Sequence, residues 1–258
     1  MRTRNRIAAA AGIIAAASVT GIAVAALAAP ASDPGDRPAA ASQEVLLGEG
    51  TDNLPSITAA DWVTYADHVI VVEAVSEASI APGAEEIERG EGVIGRTVAL
   101  TVEDVLWSRD GAPKAAPTSW NYSALGWHFT DGDTADPVKL ALSEFPRVEV
   151  GHQYVMAVRW QAALCDEDGE YAPAQWLGLG EGSEIPFDDG ILGNGESEGT
   201  VQNAAAFAAA AEDEPDQGVE ELLAGQSADA LVSALAEAVP DTAAQSEAEA
   251  FSTMNSCV

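Results

Sequence analysis

Basic residues are what this chain most conspicuously lacks. Its 258 residues carry 11 Lys and Arg against 42 Asp and Glu, a formal charge of −31, and 21 acidic residues follow Arg159 without a single Lys or Arg among them. Arg2, Arg4 and Arg6 crowd the N-terminus, which leaves 8 basic residues for everything else. A surface of this sign repels phosphate backbones and anionic headgroups, so nucleic acid is excluded as a partner and cationic partners stay open. The plainer reading of the same acidity is solubility outside the cell.

Histidine and cysteine are nearly as scarce. His68, His128 and His152 lie far apart with no H-E-x-x-H or other zinc spacing, and each reads as a structural residue of a strand or its edge. Cys165 and Cys257 are the only cysteines. In an exported chain an even number points to a disulfide, here closing a loop of about 93 residues worth roughly 4–5 kcal/mol in the chain-entropy picture. Asp166, Glu167 and Asp168 beside Cys165 disfavour a thiolate, so a nucleophilic role is not assigned. There is no G-x-S-x-G elbow, no phosphate-cradling glycine loop and no Ser, His and Asp set that spacing singles out. The sequence therefore names no catalytic residue, no metal ligand and no cofactor. The acidic run 166–170 fails as a calcium hand, because Gly169 is misplaced and Leu177 stands where a bidentate Glu is needed. An oxygen cluster that adds Asp188 and Asp189 is the calcium alternative.

What is present begins with an export signal. Residues 1–31 combine three arginines, an uncharged apolar run from Ile7 to Ala29 and small residues with A-x-A patterns at 26–28 and 29–31. This is a signal peptide or a retained single-span anchor, since about 23 apolar residues also suffice to cross a bilayer. Either way the arginines stay cytoplasmic and the remainder is exported, with residues 7–29 as the membrane tether if they are retained. The arginines form no twin pair, and no Cys follows the run to accept a lipid. Residues 32–57, rich in Ala, Pro, Gly and acids, read as a flexible linker.

Residues 58–193 read as the folded domain. Thr58 caps a short helix to Ala66 that sets Trp62 and Tyr65 on one side. HVIVVEAV from His68 is apolar on both faces, which predicts a central strand covered by that helix. Residues 79–92, with Pro82, Gly83, Gly90 and four glutamates, predict an exposed loop. Val93 to Trp107 alternates strictly, and at about 3.3 Å per residue it is too long to stay straight, so a bulge is expected around Glu103 and Asp104. SWNYSALGWHF predicts a third strand kinked at Gly126. Tyr154 to Trp160 predicts a fourth, after a turn at Gly151, and QWLGLG a fifth. EIPFDDGIL predicts a hairpin around Asp189-Gly190. Residues 194–258 read as an acidic, Ala-rich helical tail, with helices capped by Thr200, starting at Val219, and capped by Ser227.

The expected fold is thus mainly β: a five- or six-stranded barrel with a short N-terminal helix and a helical tail. ADHVIVVEAV, TVALTVEDVLW, PRVEVGHQYVMAV and IPFDDGIL followed by LVSALAEA resemble a recurrent type of actinobacterial exported protein. They are similar to the OB-like barrel of the netrin and metalloproteinase-inhibitor kind, which implies that fold over roughly residues 60–240. The inhibitors seize zinc with an N-terminal Cys at the barrel, and here no Cys precedes residue 165, so the resemblance implies no activity.

Aromatics remain as the candidate binding residues. Trp120 and Tyr122 share a strand face near Trp127, a row that could stack sugars or fill a core. The function expected from all this is a non-catalytic extracytoplasmic module that binds an envelope protein or glycan. The alternatives are an extracytoplasmic enzyme or inhibitor of unrecognised type and a calcium-stabilised structural protein.

Overall fold

The β-branched run after Asp67 forms the strand on which the sheet is built, and short elements precede it. In the computed structural model, which describes residues 45–50, 52–165, 171–211 and 217–254, β1 is Val45–Gly48, α1 is Ala59–Tyr65 and β2 is His68–Ile80. Residues 1–44, the acidic run 166–170 and Cys257 lie outside the described residues, as do the readings of a leader and of a Cys165–Cys257 bridge that depend on them. Among the described residues no helix is long and apolar enough to cross a membrane.

α1 starts where expected, because Thr58 and Asp61 cap it reciprocally: the Thr58 Oγ1 accepts from the Asp61 N–H at 3.1 Å, and the Thr58 N–H donates to the Asp61 carboxylate at 2.8 Å. Trp62 points inward, fully buried, and its indole N–H donates to the Ser56 carbonyl at 2.6 Å. Val69, Ile70, Val71 and Val72 of β2 are all buried, as a strand apolar on both faces requires.

The segment expected to be a loop contains α2, Ala84–Arg89. Glu86 reaches back to accept from the Gly83 N–H at 2.7 Å, and Gly90 ends the helix in the left-handed region at φ 83. The exposed glutamates that suggested a loop are this helix's surface. β3, Gly92–Ser108, runs antiparallel to β2 with register shifts that leave Glu103 and Leu106 unmatched, so the expected bulge is present and a second lies beside it. β4 is Ser119–Phe129, and its ladder with β3 skips Gly126, whose α-carbon abuts the Ile94 carbonyl too closely for any side chain. β5, Val138–Leu142, pairs with β4 and takes β1 in parallel register, so Val45–Gly48 of the predicted linker belongs to the sheet.

β6, Gln153–Gln161, returns against β2. The pair β7, Leu164–Cys165, and β8, Tyr171–Ala172, leads to β9, Gln175–Gly178, on the far side of β6; β10, Glu184–Pro186, also pairs with β6. The turn at Asp189-Gly190 forms, with φ of 58 and 74, but not the hairpin. The chain instead makes a parallel bridge from Phe187 to Asn194 and starts a separate pair, β11, Gly195–Ser197, with β12, Thr200–Gln202. Thr200 is therefore a strand residue. The helix after it, α3, Ala204–Ala211, is capped by Asn203, whose side-chain oxygen accepts from the Ala205 and Ala206 N–H groups at 3.1 and 3.2 Å. α4, Val219–Leu223, α5, Ala228–Glu237, and α6, Thr242–Met254, complete the chain. α5 buries Leu231 and Leu235 as its spacing predicted, whereas Val239 lies beyond its end and is exposed.

The fold is mainly β, but the sheet is not closed into a barrel. Its eight strands run β1-β5-β4-β3-β2-β6-β10, with β9 also on β6. No ladder joins β4 to β9. The seam between them is spanned by side chains, with the Trp120 indole donating to the Trp176 carbonyl at 3.1 Å. The β4 and β9 backbones are unpaired, so the sheet keeps free edges. The sheet separates two cores. One lies inside the curl and contains Ile70, Val98, Leu100, Trp120 and Met156; the other lies between the sheet and the helices and contains Trp62, Val69, Val155, Leu231 and Leu235.

One helix junction carries a pH dependence. Glu220 in α4 accepts from the Gln202 amide at 3.0 Å, and burial raises its pKa from 4.5 to about 8, against the pull of that hydrogen bond and with help from Glu221. A carboxyl raised in the folded state destabilises progressively as pH climbs from about 4.5 through 8, because the folded protein must then hold a charge the unfolded chain carries freely. Glu220→Gln is expected to raise the urea midpoint at pH 9 and to change it little at pH 4.5. An equal shift at both values would contradict the buried-acid explanation.

Candidate binding site

Asp67 links α1 to β2 and is almost completely buried, so its carboxylate must be bonded from several sides. It accepts from the Trp160 N–H at 2.7 Å and from the Arg109 guanidinium, while its own N–H donates to the Val158 carbonyl at 2.8 Å. Arg109 is placed by the turn after β3: its N–H donates to the Asp67 carbonyl at 2.9 Å, its carbonyl accepts from Ala112, and Gly111 supplies the left-handed residue at φ 79. The guanidinium therefore projects over the end of the sheet.

That end is a recess of about 380 Å³. Tyr65 and Thr64 of α1 line one side, and Arg109 and the end of β6 at Arg159 and Trp160 line another; by strand alternation the Arg159 side chain faces the helices and the Trp160 ring the curl. The opposite wall is α6, through Gln245, Ala248 and Glu249, which recur at helical spacing. α6 is held there because Asp241 caps it, accepting from Ala243 and Ala244 at 3.0 Å, and donates its own N–H to the Thr64 hydroxyl at 2.9 Å. On the opposite face of β6, inside the curl, Trp160 meets Trp176 edge-on at 5.3 Å, His68 tilts against Trp176 at 5.5 Å, and the Lys114 ammonium lies 5.4 Å from the Trp160 ring centre.

The recess sets two guanidiniums, Arg109 and Arg159, beside two carboxylates, Asp67 and Glu249. Seven Lys and Arg occur among the described residues. Two of them, Arg109 and Arg159, line this recess, and Lys114 lies over the Trp160 ring on the other face of β6. Burial pulls the Arg159 pKa down, with Asp67 opposing and Arg109 adding to the fall. Burial acts on Arg109 in the same direction, but its bonds to Asp67 and Glu249 outweigh it and the net shift is upward. Tyr65 is raised by burial and then by Asp241 and Asp61, so its hydroxyl stays protonated and able to donate.

Comparison with family models, with curated proteins and with solved structures gives no match to this chain. What the site can do is therefore read from its own geometry. It offers guanidinium donors, the Tyr65 hydroxyl and a size within the range of small-ligand pockets, roughly 300–1,000 Å³.

The aromatic row named from the sequence is arranged differently. Trp120 is only 8% exposed and packs inside the curl with Tyr122, their rings edge-on at 5.2 Å, so the pair is core and seam and not an exposed stacking face. Trp127, roughly 23 Å further along the strand at 3.3 Å per residue, is half-buried beneath Arg147, whose guanidinium lies 5.1 Å from its ring. The skipped Gly126 separates the two parts of the strand.

Cys165 ends β7, and its expected partner, Cys257, lies outside the described residues. His68 is structural, with Nδ1 on the Ser108 hydroxyl at 2.8 Å and Nε2 donating to the Lys114 carbonyl at 2.9 Å. His152 pairs with Asp188 at 2.5 Å, and the other Asp188 oxygen accepts from Gln153 at 2.8 Å, so both oxygens of a proposed calcium ligand are engaged. Among the described residues no serine, threonine or cysteine is hydrogen-bonded to His152, and no group of three or more His, Cys, Asp and Glu is arranged to hold a metal.

Sequence reasoning missed this recess because its parts come from residues 64–67, 109–113, 159–162 and 245–249. One signal was available: in so acidic a chain, cations such as Arg109 and Arg159 are too few to be scattered solubilising charge.

Proposed function

We propose that this protein is a non-catalytic extracytoplasmic interaction module that binds an envelope protein or glycan through the recess between α1, β6 and α6. The observation that carries this reading is that two of the chain's few cations, Arg109 and Arg159, line one recess on a protein of charge −31. Fields focused in a concave site attract anionic groups even when the distant surface repels them. The export of residues beyond 31 and the tie to actinobacterial exported proteins belong to the same proposal, supported by the N-terminal pattern. So does an OB-like character of the sheet, supported by the way β2 pairs with both β3 and β6 and by the indole that spans the seam.

The test is retention of solubilised envelope protein and glycan on the immobilised intact chain at low and moderate salt. Saturable retention is expected, weakened by salt and lost in Arg159→Gln, while Trp127→Ala leaves it intact. A wild-type protein that is folded by circular dichroism yet retains nothing at either salt would sink the reading.

A further inference from the structure

β2 is longer than the strand that covers one of its sides. β3 pairs with it from His68 to Ile80, whereas β6 pairs only from His68 to Glu73, and the Gly151 N–H and His152 carbonyl close that side at Ala74, at 2.8 and 3.0 Å. Beyond Ala74 no strand among the described residues pairs on the β6 side, and Val75 to Ile80 are all exposed. The ladder fixes which backbone groups point there. The Val102 N–H donates to the Thr118 carbonyl at 3.1 Å, so Val102 faces β4, and by alternation Leu100, Val98 and Arg96 face β4 too. Opposite Val98 and Arg96 stand Glu77 and Ser79. Directly opposed residues of an antiparallel pair either bond each other or both face away, so the N–H and C=O groups of Glu77 and Ser79 project from the free edge. Those of Ser76, Ala78 and Ile80 are turned to β3.

An open row of this kind is a template for one more strand, and proteins usually guard it with charge. Glu77 is the single charged residue from Ala74 to Pro82, and Arg96 draws it off by bonding its Oε2 at 2.8 Å. Its Oε1 accepts no hydrogen bond among the described residues. Glu77 and Ser79 share the curl face with Val98, while Ala78 and Ile80 share the other face, where Ile80 is 48% exposed. The edge is short, bounded by the turn at Gly151 at one end and by Pro82 and α2 at the other. A second copy of this chain is a poor occupant. Antiparallel pairing of two such arms brings the α2 end of each against the Gly151 turn of the other, and two chains of charge −31 repel. An extended peptide meets neither obstacle.

We infer that the free edge of β2 is a second docking surface, which takes an extended, cationic segment of a partner polypeptide as an added strand over Ser76 to Ile80. Main-chain bonds to Glu77 and Ser79 hold the segment, and its side chains alternate between the two faces. Residues opposite Glu77 and Ser79 lie on the curl face, where a lysine meets the open Glu77 oxygen. Residues opposite Ser76, Ala78 and Ile80 lie on the other face, where a β-branched side chain covers Ile80. This surface is separate from the recess, and neither reading depends on the other.

The experiment is amide NMR of the intact chain titrated with the end-blocked synthetic peptide Val-Lys-Val-Lys-Val. Saturable shifts are expected at Glu77 and Ser79, whose hydrogen exchange slows about tenfold, with smaller changes at Ser76 and Ala78, already bonded to β3. The peptide N–H groups that face β2 are those of its lysines. N-methylation of both lysines is therefore expected to weaken binding about tenfold, and N-methylation of the central valine less than about twofold. The counterpart Val-Glu-Val-Glu-Val is expected to bind about tenfold more weakly. Ser79→Pro, which removes an N–H that β3 does not use, is expected to weaken the lysine peptide about fivefold. Thermal unfolding checks that this variant folds, and if it does not, the methylated peptides decide alone. The inference is overturned if Glu77 and Ser79 do not shift, or if the glutamate peptide binds equally well. Equal binding of the lysine-methylated peptide would overturn it as charge attraction alone. Protection of Glu77 and Ser79 that rises with protein concentration in the absence of peptide would overturn it in favour of a second copy on the edge.

Discussion

Replacing Glu196 by alanine is expected to lower the free energy of unfolding by about 3–5 kcal/mol, the range for removing one partner from a buried charged network. Glu196 is 2% exposed and its carboxylate accepts four hydrogen bonds. One oxygen takes the Arg147 N–H at 3.1 Å and the Gly199 N–H at 2.7 Å, and the other takes the Val148 N–H at 3.0 Å and the Tyr154 hydroxyl at 2.8 Å. Two of those donors lie in a segment that resists its own geometry. Val148 has φ 58, a conformation that a β-branched residue adopts only under constraint.

The constraint comes from both sides. Opposite Glu196, the fully buried Arg96 donates to the carbonyls of Arg147, Val148 and Leu125 and pairs with Glu77 at 2.8 Å. Arg147 in turn donates to the carbonyls of Leu140 and Gly126. Burial lowers the Arg147 pKa and Arg96 adds to the fall, while Glu149 opposes it. Burial, with Glu196 next, pushes the Tyr154 hydroxyl up, so it remains a donor to Glu196. Alanine at 196 leaves all four donors without an acceptor and frees Val148 to relax. Glutamine, which keeps one acceptor oxygen, is expected to cost less than alanine. Denaturation midpoints measure both, and a loss below about 1 kcal/mol for alanine would show that the clamp is not what holds Val148.

Trp62→Ala is expected to cost a further 3–5 kcal/mol, measured separately, through the cavity it opens in the core between sheet and helices. Trp62 is fully buried among Val69, Val155, Leu231 and Leu235, so the atoms around the void come from three elements that cannot collapse together. Its loss also strands the Ser56 carbonyl, which the indole N–H now satisfies. Trp62→Phe retains most of the volume and is expected to lose about 1–2 kcal/mol, chiefly that hydrogen bond. The effect reaches the recess, because α1 carries Thr64 and Tyr65 and Thr64 holds Asp241 at the start of α6. Amide exchange in α5 and α6 is therefore expected to accelerate in Trp62→Ala before the sheet opens, and exchange that accelerates equally in β2 and β3 would contradict a separable helical layer.

Local chemistry made much of the fold legible. The capping box at Thr58, the two-faced apolar run of β2, the bulge near Glu103, the kink at Gly126 and the leucine spacing of α5 each depend on neighbours within a few residues, and each forms as its pattern predicts. The misses share a cause. β1 and β5 are short and pair with each other only in space, α2 carries its signal in a glycine cap and a glutamate that also read as loop, and Asn203 replaced Thr200 as a cap because β11 claimed Thr200 as a partner. Tertiary pairing overrode the local preference in each case.

The candidate site divides in the same way. Trp120 and Tyr122 have the alternation that aromatic stripes share whether they face water or a core, and only the curl of the sheet turned them inward to make its seam. Composition by itself determined the acidity of the surface, the scarcity of cations and the absence of a familiar catalytic motif, since these follow from residue identity alone. Tertiary structure alone decided that Arg109 and Arg159 meet at one recess, that Glu249 arrives there from 140 residues away, and that Glu196 clamps a strained valine. A charge acts over ångströms and not over residue numbers, so its effect is not defined until the chain has folded.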